Sequence, residues 1–363
     1  MKWSLRVGRF AGIDVYVHVT FLMILGFLGL ANWFATRNLA SVVDGLLFFL
    51  ALFLCVVLHE YGHALTARRY GIKTKDITLL PIGGVARLES LPKEPIKELW
   101  IAVAGPAVNV VIAGLLAVWL TVGQHWHSVG QLSPTQGHFA ERLLAANLIL
   151  IIFNLLPAFP MDGGRVLRAF LALRMDYARA TNIAAVLGQG IALIFGFIGL
   201  FINPLLILIA LFVWIGAGQE ASMAQMRSSL AGVSVERAMM TDFRSLGPND
   251  SLARAVDLVL SGSQADFPVV DDGRLVGVLT RADLVAALAK GSPATAVSQV
   301  MKRDLPVLSP DDSLEDSIAR GKALEVPVIP VVANGRLVGL LTMENVSEYV
   351  LIQNALREFR SVS

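Results

Sequence analysis

Charge is scarce in this chain. Of its 363 residues, 16% are Asp, Glu, Lys or Arg, while 55% are hydrophobic. That balance excludes an ordinary water-soluble enzyme, which carries more charge on its surface. The formal net charge is only +2, so there is no basic excess of the kind that binds nucleic acid. Cysteine is nearly absent. The single Cys55 rules out an intrachain disulfide. Lying in an apolar run four residues before His59, it reads as a small buried hydrophobe. Lysine and arginine are missing altogether from residues 122–140.

What is present is unevenly spread. Long apolar runs fill residues 1 to about 220, whereas the chain beyond about 227 has the charge density and short alternating runs of a soluble α/β domain. Two domains are expected, 1–226 in the membrane and 227–363 outside it. A membrane helix needs about 20 apolar residues, and six runs qualify in outline: Val15–Phe34, Asp44–Arg68, Ile96–Thr121, Leu143–Leu156, Thr181–Ile202 and Pro204–Gly218. The first is long and is followed by further spans, so it reads as a retained segment rather than a cleaved leader. Alternation in Ser4–Phe10 with Asp14–Val17, and in Asp76–Glu89 around Gly83 and Gly84, predicts two small hairpins at the membrane surface.

The fourth run is short. About 14 helical residues rise about 21 Å, roughly 9 Å less than a 30 Å hydrocarbon core. It then breaks in Pro157-Ala-Phe-Pro-Met-Asp-Gly-Gly164, which no regular helix accommodates. Broken backbone at membrane depth survives only where protein or a water-filled cavity satisfies it. Basic residues gather in the N-terminus, in 68–97 and in 165–179. By the positive-inside rule these segments, both termini and the soluble domain are expected on the cytoplasmic side of a plasma or inner membrane.

Within the second run, His59-Glu60-Tyr61-Gly62-His63 matches H-E-x-x-H. Positions i and i+4 share a helix face, so both imidazoles can bind one metal, with the glutamate beside them as general base. This is the arrangement of zinc-dependent hydrolysis. A catalytic zinc needs a third ligand, and Asp162 in the broken segment is the candidate. His59 lies about nine residues from Arg68, or roughly 13 Å from the cytoplasmic end, a depth comparable to that of the break. His125, His127 and His138 have no carboxylate at ligand spacing and are expected to face solvent.

H-E-Y-G-H, G-P-A-V-N at Gly105–Asn109 and N-L-L-P-A-F-P-M-D-G-G at Asn154–Gly164 together resemble the site-2 protease family of intramembrane metalloproteases. The resemblance implies that His59, His63 and Asp162 hold Zn²⁺, one per chain, and that Glu60 is the base. It also implies that Asn154 positions the substrate strand or polarises its carbonyl. Gly83 and Gly84 match a membrane-associated hairpin near the site. There an unwound substrate could be received by strand addition, close to a glycine backbone. Residues 122–140 are too few for the PDZ-like insertion of some members.

The soluble half is duplicated. Phe267–Thr280 recurs as Ile329–Thr342, 62 residues later, and Asp272-Gly273 and Asn334-Gly335 suit hairpin turns. The copies, 233–290 and 295–354, resemble CBS (cystathionine-β-synthase-type) modules. The resemblance implies a paired disc that binds ATP or another adenine nucleotide, or that pairs two copies of the chain. Thr280 and Asp283 match its ribose-binding pattern, whereas Asn345 follows Thr342 in the second copy. That difference predicts one stronger site, at Thr280 and Asp283. The expected fold is therefore a polytopic α-helical membrane protein of about six transmembrane helices with small membrane-associated β-hairpins, plus a cytoplasmic α/β CBS pair. The expected function is zinc endoproteolysis within or near transmembrane segments of membrane-protein substrates, regulated through the CBS pair. The rivals are an ion transporter or channel with regulatory CBS domains and an inactive relative; H-E-x-x-H with D-G-G disfavours the first and the intact Glu60 the second.

Overall fold

A computed structural model describes residues 3–362, apart from 82, 90, 91, 93, 124–131, 135, 136, 263 and 325. His125 and His127 lie outside the described residues. The chain divides into two compact units, 1–224 and 225–363.

The first unit opens with β1 (Ser4–Phe10) and β2 (Ile13–His18), then α1 (Val19–Thr36) and α2 (Leu39–Arg69). Asn38 caps α2, its Oδ1 accepting from the Ala40 N–H at 3.0 Å, and Arg68 and Arg69 occupy the last turn, where cations suit the helix dipole. Strands β3 (Thr74–Leu80) and β4 (Gly83–Leu88) follow, then α3 (Pro95–Val122) and α4 (Phe139–Asn154). The remainder is α5 (Asp162–Ala172), α6 (Tyr177–Phe201) and most of α7 (Leu205–Leu230), whose last turns fall in the second unit. Among the described residues, five helices, α1, α2, α3, α6 and α7, are long and apolar enough to cross a membrane. The sixth apolar helix, α4, has 16 residues.

Two expectations need correction. The first span does not begin at Val15, because Val15–His18 belong to β2 and the helix starts at Val19. A β-branched apolar run serves a buried strand as well as a helix, so hydropathy alone cannot separate them. The last helix continues past Gly218 to Leu230. Both expected hairpins form, and β2 also pairs in parallel with β3, Val15 opposite Ile77 and Val17 opposite Leu79, giving one sheet in the order β1-β2-β3-β4. Ile13 and Ile77 pack on Ala64 of α2, and Leu79 on Phe53. The sheet therefore rests on the helix that carries H-E-x-x-H, with β4 as an edge.

The broken segment 155–161 keeps its backbone satisfied locally. Ala158 N–H donates to Leu156 O at 2.7 Å, Met161 N–H to Ala158 O at 3.1 Å and Gly164 N–H to Met161 O at 3.1 Å. Ala158 and Met161 are buried against Ala192 of α6 and Ala210 and Val213 of α7.

The second unit holds α8 (Leu252–Leu260), β5 (Phe267–Asp271), β6 (Arg274–Leu279) and α9 (Arg281–Leu288). The second copy repeats them as α10 (Leu314–Leu324), β7 (Val328–Ala333), β8 (Arg336–Thr342) and α11 (Met343–Val362). Both central residues of each hairpin turn have positive φ: Asp272 47°, Gly273 80°, Asn334 51° and Gly335 76°. The leading segments cross over. Val297 packs in the core formed by Leu246, Phe267 and Leu279, while Val235 packs in that of Leu308, Ile329 and Leu341. Met240 bridges to Leu340 and Lys302 to Val278. Each copy is thus completed by the other's leading segment.

Candidate active site

His59 and His63 sit on one face of α2 and are each 6% exposed; Asp162, in the first turn of α5, is 7% exposed. Asp162 Oδ2 lies 3.0 Å from His59 Nε2 and 3.2 Å from His63 Nε2, and the two Nε2 atoms are 3.1 Å apart. The other ring nitrogens are engaged: His59 Nδ1 with Asn109 Oδ1 at 2.6 Å, and His63 Nδ1 with the Ile101 carbonyl at 2.7 Å. Carbonyl oxygens only accept, so each ring carries its proton on Nδ1 and turns an Nε2 lone pair toward Asp162.

With both rings neutral, three lone-pair atoms face one another, an arrangement a cation relieves. Tetrahedral zinc bonded at about 2.0–2.1 Å separates its ligand atoms by about 3.3 Å, close to the triangle seen here. Among the described residues, His59, His63 and Asp162 are the group whose chemistry suits such an ion. Three protein ligands leave the fourth position for water or substrate.

Two glycines make room. A Cβ on Gly105 of α3 would stand 2.2 Å from His63 Nε2, and one on Gly84 of β4 would stand 2.6 Å from Glu60 Cγ. The Gly84 backbone therefore lies directly against Glu60. Gly83, with φ +139°, begins β4. Asn154 ends α4, half-buried, and among the described residues no hydrogen bond ties it to the triad.

Behind Asp162, Arg168 of α5 is 2% exposed. It pairs with Glu98 of α3 at 2.5 Å and Glu220 of α7 at 2.8 Å, and lies over the rings of Phe159 and Tyr177 at 4.9 and 5.0 Å. This set anchors the helix that delivers Asp162. In the sequence Arg168 counts only toward the charge asymmetry that orients the chain. The signal that would have found the set is a pair of glutamates inside otherwise apolar helices. The roles of Gly105 and Asn109 were likewise missed, although the motif containing them was noticed.

Cys55 is buried. His138 is exposed at the start of α4, its N–H donating to Glu141 Oε2 at 3.0 Å. In the second unit, the Thr280 hydroxyl donates to Asp283 Oδ2 at 2.6 Å, an atom also 3.2 Å from Lys302 Nζ. Thr342 makes the same 2.6 Å bond to Asn345 Oδ1. A cavity of about 220 Å³ opens beside the second copy, lined by Ile318, Ile329, Leu341, Thr342 and Val346 among others.

The model of peptidase family M50 matches residues 47–145 and 135–197, and the CBS domain model matches 235–290 and 297–352. Zinc metalloprotease MJ0392 of Methanocaldococcus jannaschii is 34% identical over 347 residues, which are 95% of this chain and 96% of that protein. This chain belongs to the M50 peptidase family. Stage IV sporulation protein FB of Bacillus subtilis is 28% identical over 194 residues, 53% of this chain and 60% of that protein. The solved site-2 protease from Methanocaldococcus jannaschii is 39% identical, with a TM-score of 0.45 over 60% of this chain and 95% of its own. The M50 member described here is a polytopic zinc metalloprotease carrying a CBS pair, which sets aside the ion-transporter reading.

Proposed function

We propose that this metalloprotease cleaves peptide bonds within or near transmembrane segments of membrane-protein substrates. The observation that carries the reading is the convergence of His59 Nε2, His63 Nε2 and Asp162 Oδ2 within a bilayer-crossing bundle, beside a carboxylate covered by an edge strand. His59, His63 and Asp162 are the zinc ligands in this reading. When bound, zinc polarises the scissile carbonyl and makes water a better nucleophile at neutral pH.

The chain's own residues supply the rest. Glu60, next to a ligand, accepts the proton of the attacking water and returns it to the leaving amine. A helical substrate hides its peptide bonds and must unwind locally. The free edge of β4 offers backbone partners to the extended strand, and Gly83 and Gly84 keep that approach open. Asn154, at the end of α4, holds the substrate strand or its carbonyl. The positive segments 68–97 and 165–179 argue that this end of the bundle, both termini and the CBS pair are cytoplasmic.

For the CBS pair, the reading is control of the protease by ATP or a related adenine nucleotide, with Thr280 and Asp283 at the ribose, since a carboxylate accepts from two hydroxyls more strongly than an amide. To control activity the nucleotide must bind the protease's two arrangements unequally. Association of two chains through the CBS pair is the accompanying partner proposal.

Metal analysis of the purified full-length protein tests the ligand set. About one zinc per chain is expected, with loss in His59→Ala and in Asp162→Ala. Full zinc content in either variant contradicts the assignment.

A further inference from the structure

His59 is held by more than its immediate neighbour. Asn109 on α3 and Asn147 on α4 are both 0% exposed. Asn109 Nδ2 donates to Asn147 Oδ1 at 2.9 Å, and Asn147 Nδ2 donates to the Leu143 carbonyl at 2.9 Å and faces Cys55 Sγ at 3.5 Å. Together with the 2.6 Å contact from His59 Nδ1 to Asn109 Oδ1, these bonds join α2, α3 and α4 in one line.

The direction of that line is not free. A backbone carbonyl only accepts, so Asn147 must turn its NH₂ toward Leu143 and its Oδ1 toward Asn109. Asn109 must then turn its NH₂ toward Asn147 and its Oδ1 toward His59. His59 in turn must carry its proton on Nδ1, which leaves Nε2 bare toward Asp162. Either amide alone has two orientations of similar shape; the pair anchored on Leu143 O has one. Buried polar lines of this kind are favourable only when every member is satisfied, as here.

We infer that Asn147 is a positioning residue for the metal site, acting two side chains away by fixing which nitrogen of His59 faces the metal. The inference rests on the reading of His59 as a ligand. Removing such outer partners typically costs about 10–100-fold in metal affinity. Asn147→Leu keeps similar bulk but deletes the acceptor, so Asn109 can turn either way. Asn147→Asp keeps the acceptor, loses the bond to Leu143 O and buries a charge.

The test is zinc affinity of the full-length protein by chelator competition, beside its melting temperature without metal. Asn147→Leu should weaken zinc by about 10–100-fold. Asn147→Asp should melt lower than Asn147→Leu yet bind zinc more tightly. In an Asn109→Leu background, Asn147→Leu should cost almost nothing further, since the line is already cut. Wild-type affinity in Asn147→Leu, affinities that merely follow melting temperature, or additive losses in the double variant would each overturn the inference. If Asn147→Asp does not accumulate, the leucine cycle still decides. His59→Ala separates the two levels. Zinc retained there overturns the ligand reading itself, whereas zinc lost there but kept in Asn147→Leu overturns only the role of Asn147.

Discussion

A Cβ placed on Gly105 would stand 2.2 Å from Nε2 of His63, and also 2.7 Å from that of His59. The α3 backbone therefore forms one wall of the proposed metal site. Asn109 stands one helical turn further on, so the same face of α3 clears space for two imidazoles and orients one of them. Gly105→Ala should displace the rings and weaken zinc binding by at least about tenfold, judged by the effect of disturbing ligand orientation. Wild-type zinc affinity in this variant would contradict the close approach.

Gly84 and Glu60 stand in a similar relation, with different consequences. Gly84→Ala pushes on Glu60, the proposed base rather than a ligand. Zinc content should stay at the wild-type level while cleavage falls by about 100-fold, the order expected for a catalytic group misplaced by about 1 Å. Single-turnover cleavage alongside metal analysis checks both halves. A loss of zinc with activity would mean that β4 supports the ligands instead.

Arg168 is buried between two carboxylates, and Glu98 Oε2 has no hydrogen-bond partner among the described residues. Arg168→Met leaves Glu98 buried and uncompensated, at a cost of about 3–5 kcal/mol. Adding Glu98→Leu should recover part of that loss. Unfolding of the metal-free protein in mild detergent measures both; a single variant as stable as wild type would remove the anchoring role.

The CBS pair makes a prediction by asymmetry. With an adenine nucleotide, Asp283→Ala should abolish the main binding heat of the full-length protein, while Asn345→Ala changes it little. The Asp283 carboxylate is already engaged by Thr280 and Lys302, and the cavity lies beside Thr342. A loss confined to Asn345→Ala would move the site to the second copy.

The convergence was legible where it is local. His59 and His63 share a helix face by i, i+4 spacing, and Asp162, which meets them, sits in a segment where no helix can continue. The duplicated turns at Asp272-Gly273 and Asn334-Gly335 were legible because their backbone requires such residues. What stayed hidden is tertiary. The pairing of β2 with β3 joins strands about 60 residues apart, the contact of Asn109 with Asn147 joins two helices, and the exchange of Val235 and Val297 between cores crosses the repeat boundary. None of these leaves a periodic trace in one sequence. Val15–Val17 fitted both the start of a span and a hairpin strand, because a buried apolar strand and a membrane helix share one composition, and only the strand forms.

This fold holds a metal-dependent peptidase, and Glu60 is its proposed base. The most direct measurement is cleavage of a membrane-embedded substrate by Glu60→Gln protein with its zinc content determined in the same preparation. Wild-type zinc is expected with a loss of cleavage of about 10²–10⁴-fold, the contribution of a positioned general base. Cleavage at the wild-type rate with zinc in place would contradict it.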